Sequence, residues 1–467
     1  MMQKRISQLF PARRDILKLG GYGLLGAFAD QALMPVQLRA AGRTNPRGTA
    51  RFCILIELAG ALSHIDSFDF KEGEGTQKDF DVRPIKNDLY LSHRLFPELS
   101  KEMDKLTVVR SMKSHEVVHF RGQYYNQAGR PLNPPLASEI PSVGSVVAME
   151  LESQRRPQDT FPTYIGCNLD TSGCGALSTG FLHPRHSVLD VNLKSGAGAA
   201  PSSKEAMAVL EERYRLLKEL DKVMTPNRGG RDRSFGTFGD FQQSAYQILG
   251  DPRWPQAFAM SKEETARYGA NEVGLGCLLA RNLVKADAGT RYIHITHPDW
   301  DHHRDIYNHA KKSNHYIRCN EFDRALANLL RDLGSTPSPR EAGKTLLDET
   351  FIAVATEFGR VPGPLNGIAG RHHYNLAYVS LFAGGGTKPG RIIGKTDATG
   401  EHVIDNGWKY KKSQIKTENI YASIYSALGI DWRKEITNTP SKRAYRYVDV
   451  LGATEMVMDD EIAELFV

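Results

Sequence analysis

The chain has 467 residues, of which 40% are hydrophobic and 24% charged, and a mean hydropathy of −0.41. This is the composition of an ordinary globular protein long enough for one large core. No stretch reaches about 18 uninterrupted apolar residues, so a stable membrane span is not expected. The net charge of +6 sits mostly in residues 1–41, where Lys4, Arg5, Arg13, Arg14, Lys18 and Arg39 stand against Asp15 and Asp30. The remainder is close to neutral, which argues against nucleic acid as a partner.

In chain order, the first element reads as an export signal over residues 1–41. A basic stretch ends in Ala12-Arg13-Arg14-Asp15-Ile16-Leu17-Lys18, a Gly-broken apolar run covers Leu19 to Ala29, and small-residue cleavage options fall at Ala27-Phe28-Ala29 and Leu38-Arg39-Ala40. The paired arginines before Ile-Leu-Lys resemble a twin-arginine signal, with Ala12 and Ile16 in place of the usual Ser/Thr and Phe. The expected partner is then the twin-arginine export machinery and the expected location periplasmic or extracellular; a basic amphipathic helix is the other reading of the segment.

Residues 42–50 form a linker into the strand Phe52–Leu58, and a second strand covers Leu106–Arg110. Pro, Gly and Ser dominate 131–142 and 153–200, with Gly196 to Ser203 the candidate mobile loop. An amphipathic helix over 203–224 carries Met207, Leu210, Tyr214, Leu217 and Leu220 on one stripe, and helical segments follow at 237–250 and 262–287. Then come a strand at Arg291–Thr296, a helix at 320–333 and a strand at Phe351–Thr356. A strand at Tyr378–Phe382, a hairpin near Arg391–Gly394 and a helix Glu418–Leu428 ended by Gly429 complete the order. Alternating strands and helices predict a mostly parallel sheet with helices on both faces. Because candidate site residues come from both ends of the chain, 42–467 is expected to be one domain with a helical insertion at about 200–260. Of the five cysteines, Cys53 and Cys277 read as core, whereas Cys167 and Cys174 flank a Gly/Ser-rich loop and are candidates for a disulfide.

Metal-capable residues gather where the strands stop. Ser63-His64-Ile65-Asp66 follows the first strand, His115 and His119 the second, Asp299-Trp300-Asp301-His302-His303 the third, and Glu357-Phe358-Gly359-Arg360 the fourth. Ligands of open parallel sheets bind beyond the carboxyl ends of the strands. Asp301 and His303 offer carboxylate and imidazole donors to a divalent cation. Glu357 reads as a metal carboxylate or as the partner of an ion pair with Arg360, and Arg360 as a clamp for an anionic group. His64 and Asp66 read as ligands or as a helix-capping arrangement. His115 and His119 share a helical face by their spacing, and His372-His373 is a second adjacent pair. His183 and His186 read as structural.

Taken together, Arg13-Arg14-Asp15-x-Leu17, Gly60-x-x-Ser63-His64-x-Asp66-x-Phe68-Asp69, Trp300-Asp301-x-His303, Glu357-Phe358-Gly359-Arg360-x-Pro362, Gly370-Arg371-x-His373 and Ile393-Gly394-x-Thr396-Asp397-x-x-Gly400-Glu401 resemble the bacterial domain-of-unknown-function family 1501, in order along nearly the whole chain. That family is grouped with the alkaline phosphatase and sulfatase superfamily. The resemblance implies a three-layer α/β/α sandwich with one or two divalent metals at the carboxyl edge of the sheet. It also implies one metal on Asp301, His303 and His373, a second carboxylate at Glu357, and His64 and Asp66 in the first metal-binding loop. There are departures. Ala61-Leu62 replaces Gly-Pro, His372 stands where an Asp is usual, Ala128-Gly129-Arg130 replaces Thr-Gly-Arg, and His119 occupies the nucleophile position.

The function expected from these residues is an exported hydrolase of phosphate or sulfate esters, dependent on zinc, manganese or calcium. His119 or His115 would be its acid or base, Arg360 or Arg130 the stabiliser of the equatorial oxygens, and Ser114 or Ser63 a fallback nucleophile. A small anionic ester or a sulfated or phosphorylated glycan is the expected substrate. The competing expectation is a non-catalytic exported surface or carbohydrate-associated protein that keeps the fold around a decayed site.

Overall fold

Four apolar, β-branched runs build the middle of a nine-stranded sheet. The sheet comprises β1 (Phe52–Leu58), β2 (Thr107–Lys113), β3 (Tyr164–Cys167), β4 (Leu189–Val191), β5 (Tyr292–His297), β6 (Thr350–Thr356), β7 (Tyr378–Ala383), β8 (Ile392–Ile393) and β9 (Ile415–Lys416). The spatial order is β8-β2-β7-β6-β1-β5-β3-β4, with β9 also paired to β2. All pairings are parallel except those of β7, which runs antiparallel to both β2 and β6. The computed structural model describes residues 44–194, 243–449 and 458–466, the backbone of 38–40 and part of 205–219.

Every residue of β1 and β6 is buried, as expected of strands covered on both faces. Along β1, Ile54 and Ile56 enter one core and Cys53 and Leu55 the other, the period-two alternation of a strand. The first core receives α3 (Glu272–Ala286) and α4 (His315–Ser335) through Cys277, Leu279, Phe322 and Leu326. The second receives α2 (Val143–Glu150) and α5 (Thr417–Ala427) through Val146, Val147, Tyr421 and Ile424. The result is a three-layer α/β/α sandwich. Truncating one of these central isoleucines to Ala would cost about 2–5 kcal/mol. In the parallel register Leu58 pairs with both His297 and Thr356, so β1, β5 and β6 end at one edge. Helix α1 (His119–Ala128) starts at that same edge, beyond the end of β2.

Four elements differ from the sequence reading. The segment 262–287 is two helices, Lys262–Tyr268 and α3, because Gly269 turns with φ +102° and the Asn271 side chain caps Gly274 N. Helix α4 starts earlier than the expected 320, capped by Asn314. Ile392–Ile393 is a parallel edge strand on β2, and the antiparallel ladder lies just after it, between Lys395–Thr396 and Val403–Asp405. Cys167 and Cys174 are unpaired, as are the other cysteines, with Cys167 fully buried in β3.

Residues 1–37 of the expected signal and the loop Gly196 to Ser203 lie outside the described residues. Of the helix expected at 203–224, residues 205, 208–209, 211–216 and 219 are described and helical. No helix among the described residues is long and apolar enough to cross a membrane.

Candidate metal centre

Three loops and one helix start converge at the carboxyl edge. The loop after β5 is anchored by Trp300, fully buried, whose backbone N–H donates to Ala59 O at 3.1 Å and whose indole Nε1–H donates to His297 Nδ1 at 3.2 Å. Gly60 has φ +114°, and a Cβ there would collide with the backbone of Trp300 and Asp301. A glycine is thus what allows the loops after β1 and β5 to meet. After β6, Gly359–Arg360 forms a short antiparallel ladder with His373–Tyr374, which sets His373 opposite Arg360. His119 is the first residue of α1, and Gly122 one turn later lets that helix lie against Glu357, where a Cβ would come within 2.5 Å of the Glu357 Cβ.

This packing gathers His119, Asp301, His303 and His373, with one donor atom of each within 4.8 Å of the others. Asp301 Oδ1 lies 3.1 Å from His119 Nε2, 3.2 Å from His303 Nε2 and 3.8 Å from His373 Nε2, and the last two nitrogens are 2.7 Å apart. Two of the rings are oriented from behind. His119 Nδ1 is 3.1 Å from Glu357 Oε2, and His373 Nδ1 donates to Val117 O at 2.6 Å. Protons on those Nδ1 atoms leave the Nε2 lone pairs facing inward, the arrangement typical of metal-ligating histidines. Among the described residues His119 Nε2 is buried and has no hydrogen-bond partner of good geometry, although Asp301 Oδ1 is close. An edge of an ideal N/O tetrahedron around zinc is about 3.3 Å, so the donors stand at ligating separations. Residue type, spacing and the unsatisfied inward nitrogen all fit one divalent cation.

The electrostatics agree. Burial opposes charge on His119, but the carboxylates of Asp301 and Glu357 outweigh it and lift its pKa to about 9. Burial also opposes ionisation of Asp301, yet its contacts with His119, His373 and Arg360 hold its carboxyl far below the usual range. Glu357 is fully buried and its pKa is raised by burial; both its oxygens accept from Gly60 N at 3.0 Å. The cluster attracts positive charge and already binds a proton tightly in its absence.

The other expected site residues lie elsewhere. Glu357 backs His119 and does not join the four donors. Arg360 is spent inside the protein: Nε donates to Ala61 O at 3.2 Å, Nη1 to Arg371 O at 3.0 Å, and Nη2 to Gly60 O and, at 2.5 Å, to Asp301 Oδ1. It is 1% exposed and positions Asp301; it is not placed to clamp an anion. Asp66 accepts from Arg371 Nε at 2.8 Å and from Ser63 Oγ at 2.5 Å, and His64 Nε2 meets Gly400 O at 2.9 Å, so this loop is occupied by its own neighbours. His372 is exposed, with its ring centroid 5.7 Å from that of His303.

His115 and His119 do not share a helical face, because α1 starts at His119. His115 turns away to Lys416 and Glu418, at 3.2 and 3.4 Å. Arg130 pairs with Asp449 at 3.3 Å and stacks over Tyr445. Ser114 Oγ accepts from Glu116 N. The sequence reading counted His119 among the metal-capable residues but gave it the role of acid or base; it did not foresee Val117 as the support of His373 or Gly122 as the position that lets α1 lie against Glu357. The signal available in the sequence for His119 was its place just beyond the strand that ends at this edge.

Among solved structures, the chain is similar to a protein in the alkaline phosphatase superfamily from Vibrio parahaemolyticus (11% identity, TM-score 0.35, covering 96% of this chain and 83% of that chain). It is also similar to the lipoteichoic acid synthase LtaP from Listeria monocytogenes (8%, TM-score 0.37, 91% and 80%) and to a phosphonate monoester hydrolase from Silicibacter pomeroyi (11%, TM-score 0.35, 82% and 73%). No curated protein matches. The profile described as "Protein of unknown function (DUF1501)" matches residues 50–457, which takes in all nine sheet strands and all four cluster residues. The chain belongs to the DUF1501 family.

Proposed function

We propose that the protein is an exported metal-dependent hydrolase of phosphate or sulfate esters, with one divalent ion held by His119, Asp301, His303 and His373. The observation that carries this reading is the convergence of three imidazole nitrogens and one carboxylate oxygen at the carboxyl edge of a parallel sheet, on an opening where Asp301 keeps 44% of its side chain exposed. Three nitrogen donors favour zinc or manganese over calcium, which takes six to eight oxygens. The bound ion would supply Lewis acidity toward an anionic ester oxygen and lower the pKa of water.

The chain's own residues do the rest. Glu357 takes the Nδ1 hydrogen bond of His119 and fixes that ring, Val117 does the same for His373, and Arg360 holds Asp301 ionised and aimed. None of the four cluster residues carries a hydroxyl or thiol, so the nucleophile in this reading is water and not a side chain. His303 is the least tethered ring of the cluster. Burial lowers its pKa, against the pull of Asp301 and with help from Arg360, which favours the uncharged ring that a cation needs.

One observation favours the second reading, a binding protein without turnover: Arg360 and Arg130, the two arginines expected to stabilise a transferring group, are both committed to internal partners. Elemental analysis of the full-length protein, purified without chelator or affinity histidines, separates the readings when paired with a panel of phosphate and sulfate monoesters. One equivalent of zinc or manganese and ester hydrolysis, both lost in His303→Ala, is the expected result. Metal without turnover selects the binding role. Absence of stoichiometric metal after reconstitution, or hydrolysis unchanged in His303→Ala, overturns the proposal.

A further inference from the structure

The geometry points to an oxyanion-binding site, separate from the metal centre, at Lys113 and Lys416 on the edge of the sheet. The parallel pairing of β9 with β2 places Lys416 directly opposite Lys113. Like charges in register across a ladder are destabilising. Neither ammonium has a carboxylate within ion-pairing distance among the described residues. Lys416 is also the N-cap residue of α5, where the helix dipole disfavours a cation. It is 9% exposed, and its Nζ stands 3.2 Å from both ring nitrogens of His115. Glu418, in the first turn of α5, is turned elsewhere: one oxygen takes the Tyr125 hydroxyl and the other lies 3.4 Å from His115 Nε2. Burial pulls the pKa of Lys416 down to about 8, and the neighbouring Lys113 adds to the shift. A fold that sets two ammonium groups beside a helix start, with neither in ion-pair contact with a carboxylate among the described residues, breaks a local rule, and such breaks mark functional positions.

Lys113, the partner of Lys416 in that register, opens onto space of the right kind. Lys113 lines a cavity of about 330 Å³ together with Ser111, Asp405, Asn406, Lys411 and Gln414. The wall is fixed: Ser111 Oγ donates to Asn406 O at 2.7 Å, and Asn406 Nδ2 donates to Tyr410 O and Ser413 O. Lys411 is 71% exposed at the rim, where Asp405 stands 3.8 Å from it. A volume near 300 Å³ is the lower end of small-molecule sites and exceeds a bare oxyanion, so the site suits a sulfated or phosphorylated sugar unit. His115, which touches Lys416, is four residues from His119, a span of at most about 14 Å. On the hydrolase reading given above, one polyanionic glycan could place an ester group at the metal and a second anionic group at Lys113. That link rests on the hydrolase reading; the oxyanion site itself does not.

Calorimetric titration and thermal unfolding of the full-length protein test the site, with inorganic phosphate in one arm and a disulfated disaccharide in the other. Phosphate is expected to bind wild type and His303→Ala alike and to raise the melting temperature of both by about 2 °C near saturation. The Lys113→Met/Lys416→Met double variant should bind at least tenfold more weakly and, without anion, melt no lower than wild type, since the repulsion is gone. Lys113→Arg, which keeps the charge, should retain binding. Tighter binding of the disaccharide than of phosphate identifies the ligand as an anionic sugar, and equal binding identifies it as a free oxyanion. Undiminished phosphate binding in the double variant, or binding confined to protein with an intact His303, overturns the site. The second of those results leaves the metal centre standing, whereas loss of metal with phosphate binding intact removes the hydrolase reading alone.

Discussion

The loops after β1 and β5 leave neighbouring strands at the same edge with the same kinds of residue, His64 and Asp66 in one, Asp301 and His303 in the other. In the first, Asp66 is 2% exposed by side chain and faces Arg371, itself 1% exposed, while His64 is wholly buried against Gly400. In the second, Asp301 is 44% exposed and shares one oxygen with three imidazoles and Arg360. A buried carboxylate must be neutralised by a fixed partner, and Arg371 does so for Asp66 permanently. A carboxylate at the surface, flanked by inward imidazole lone pairs, keeps a place for a cation. Residue type alone does not separate a structural ion pair from a ligand set; the groups that stand behind each side chain do.

The comparison can be broken most severely by exchanging the losses. Asp66→Asn leaves Arg371 buried without its partner and should destabilise the protein by about 3–5 kcal/mol with metal content unchanged. His303→Ala should cost metal affinity more than the roughly 100-fold upper bound for residues behind a ligand, with little change in melting temperature of the metal-free protein. Denaturant unfolding and metal titration of the two variants check the pair, and metal loss in Asp66→Asn would erase the distinction.

Two smaller changes sharpen it. Glu357→Gln keeps the shape behind His119 but weakens its tether, so metal affinity should fall by about 10- to 100-fold. Gly122→Ala forces α1 off Glu357, and overpacking of this kind costs about 1–3 kcal/mol. Its metal affinity should fall with it, as read by the same titration.

The last effect is confined to acid pH. His315, beside Asp66, is kept neutral mainly by burial, with a pKa lowered to about 4. A folded-state pKa below the unfolded value near 6.5 gives stability that is complete above pH 6.5 and lost as pH falls through 4. About 3 kcal/mol is at stake over that window, and His315→Gln should flatten the acid limb of a melting-temperature profile. An unchanged limb would remove His315 from the account.

The strand runs were legible because each is apolar, β-branched and bounded by loop residues: β1, β5 and β6 begin or end within a residue or so of their expected limits. The loop Trp300-Asp301-His302-His303 was legible as donor-rich for the same reason, since a strand that stops at the carboxyl edge delivers its next residues to that edge. The break at Gly269 was hidden by apolar periodicity on both sides, and Ile392–Ile393 looked like a hairpin arm because two residues carry no signal of their pairing partner. His115 and His119 looked like one helical face because their spacing says nothing about where the helix begins.

By itself, then, the sequence determined the layered α/β architecture and the edge on which polar chemistry collects, because periodicity and strand ends are local properties of the chain. Which donors meet was decided by tertiary structure. His119, Asp301 and His373 come from segments 182 and 72 residues apart, and the loop carrying Asp66 closes on Arg371, 305 residues away. Backbone contacts at Gly60 and Gly122 set those distances to within ångströms, and the partners behind each group decide whether its charge is cancelled or left for a ligand. No pattern along one strand of sequence encodes that difference.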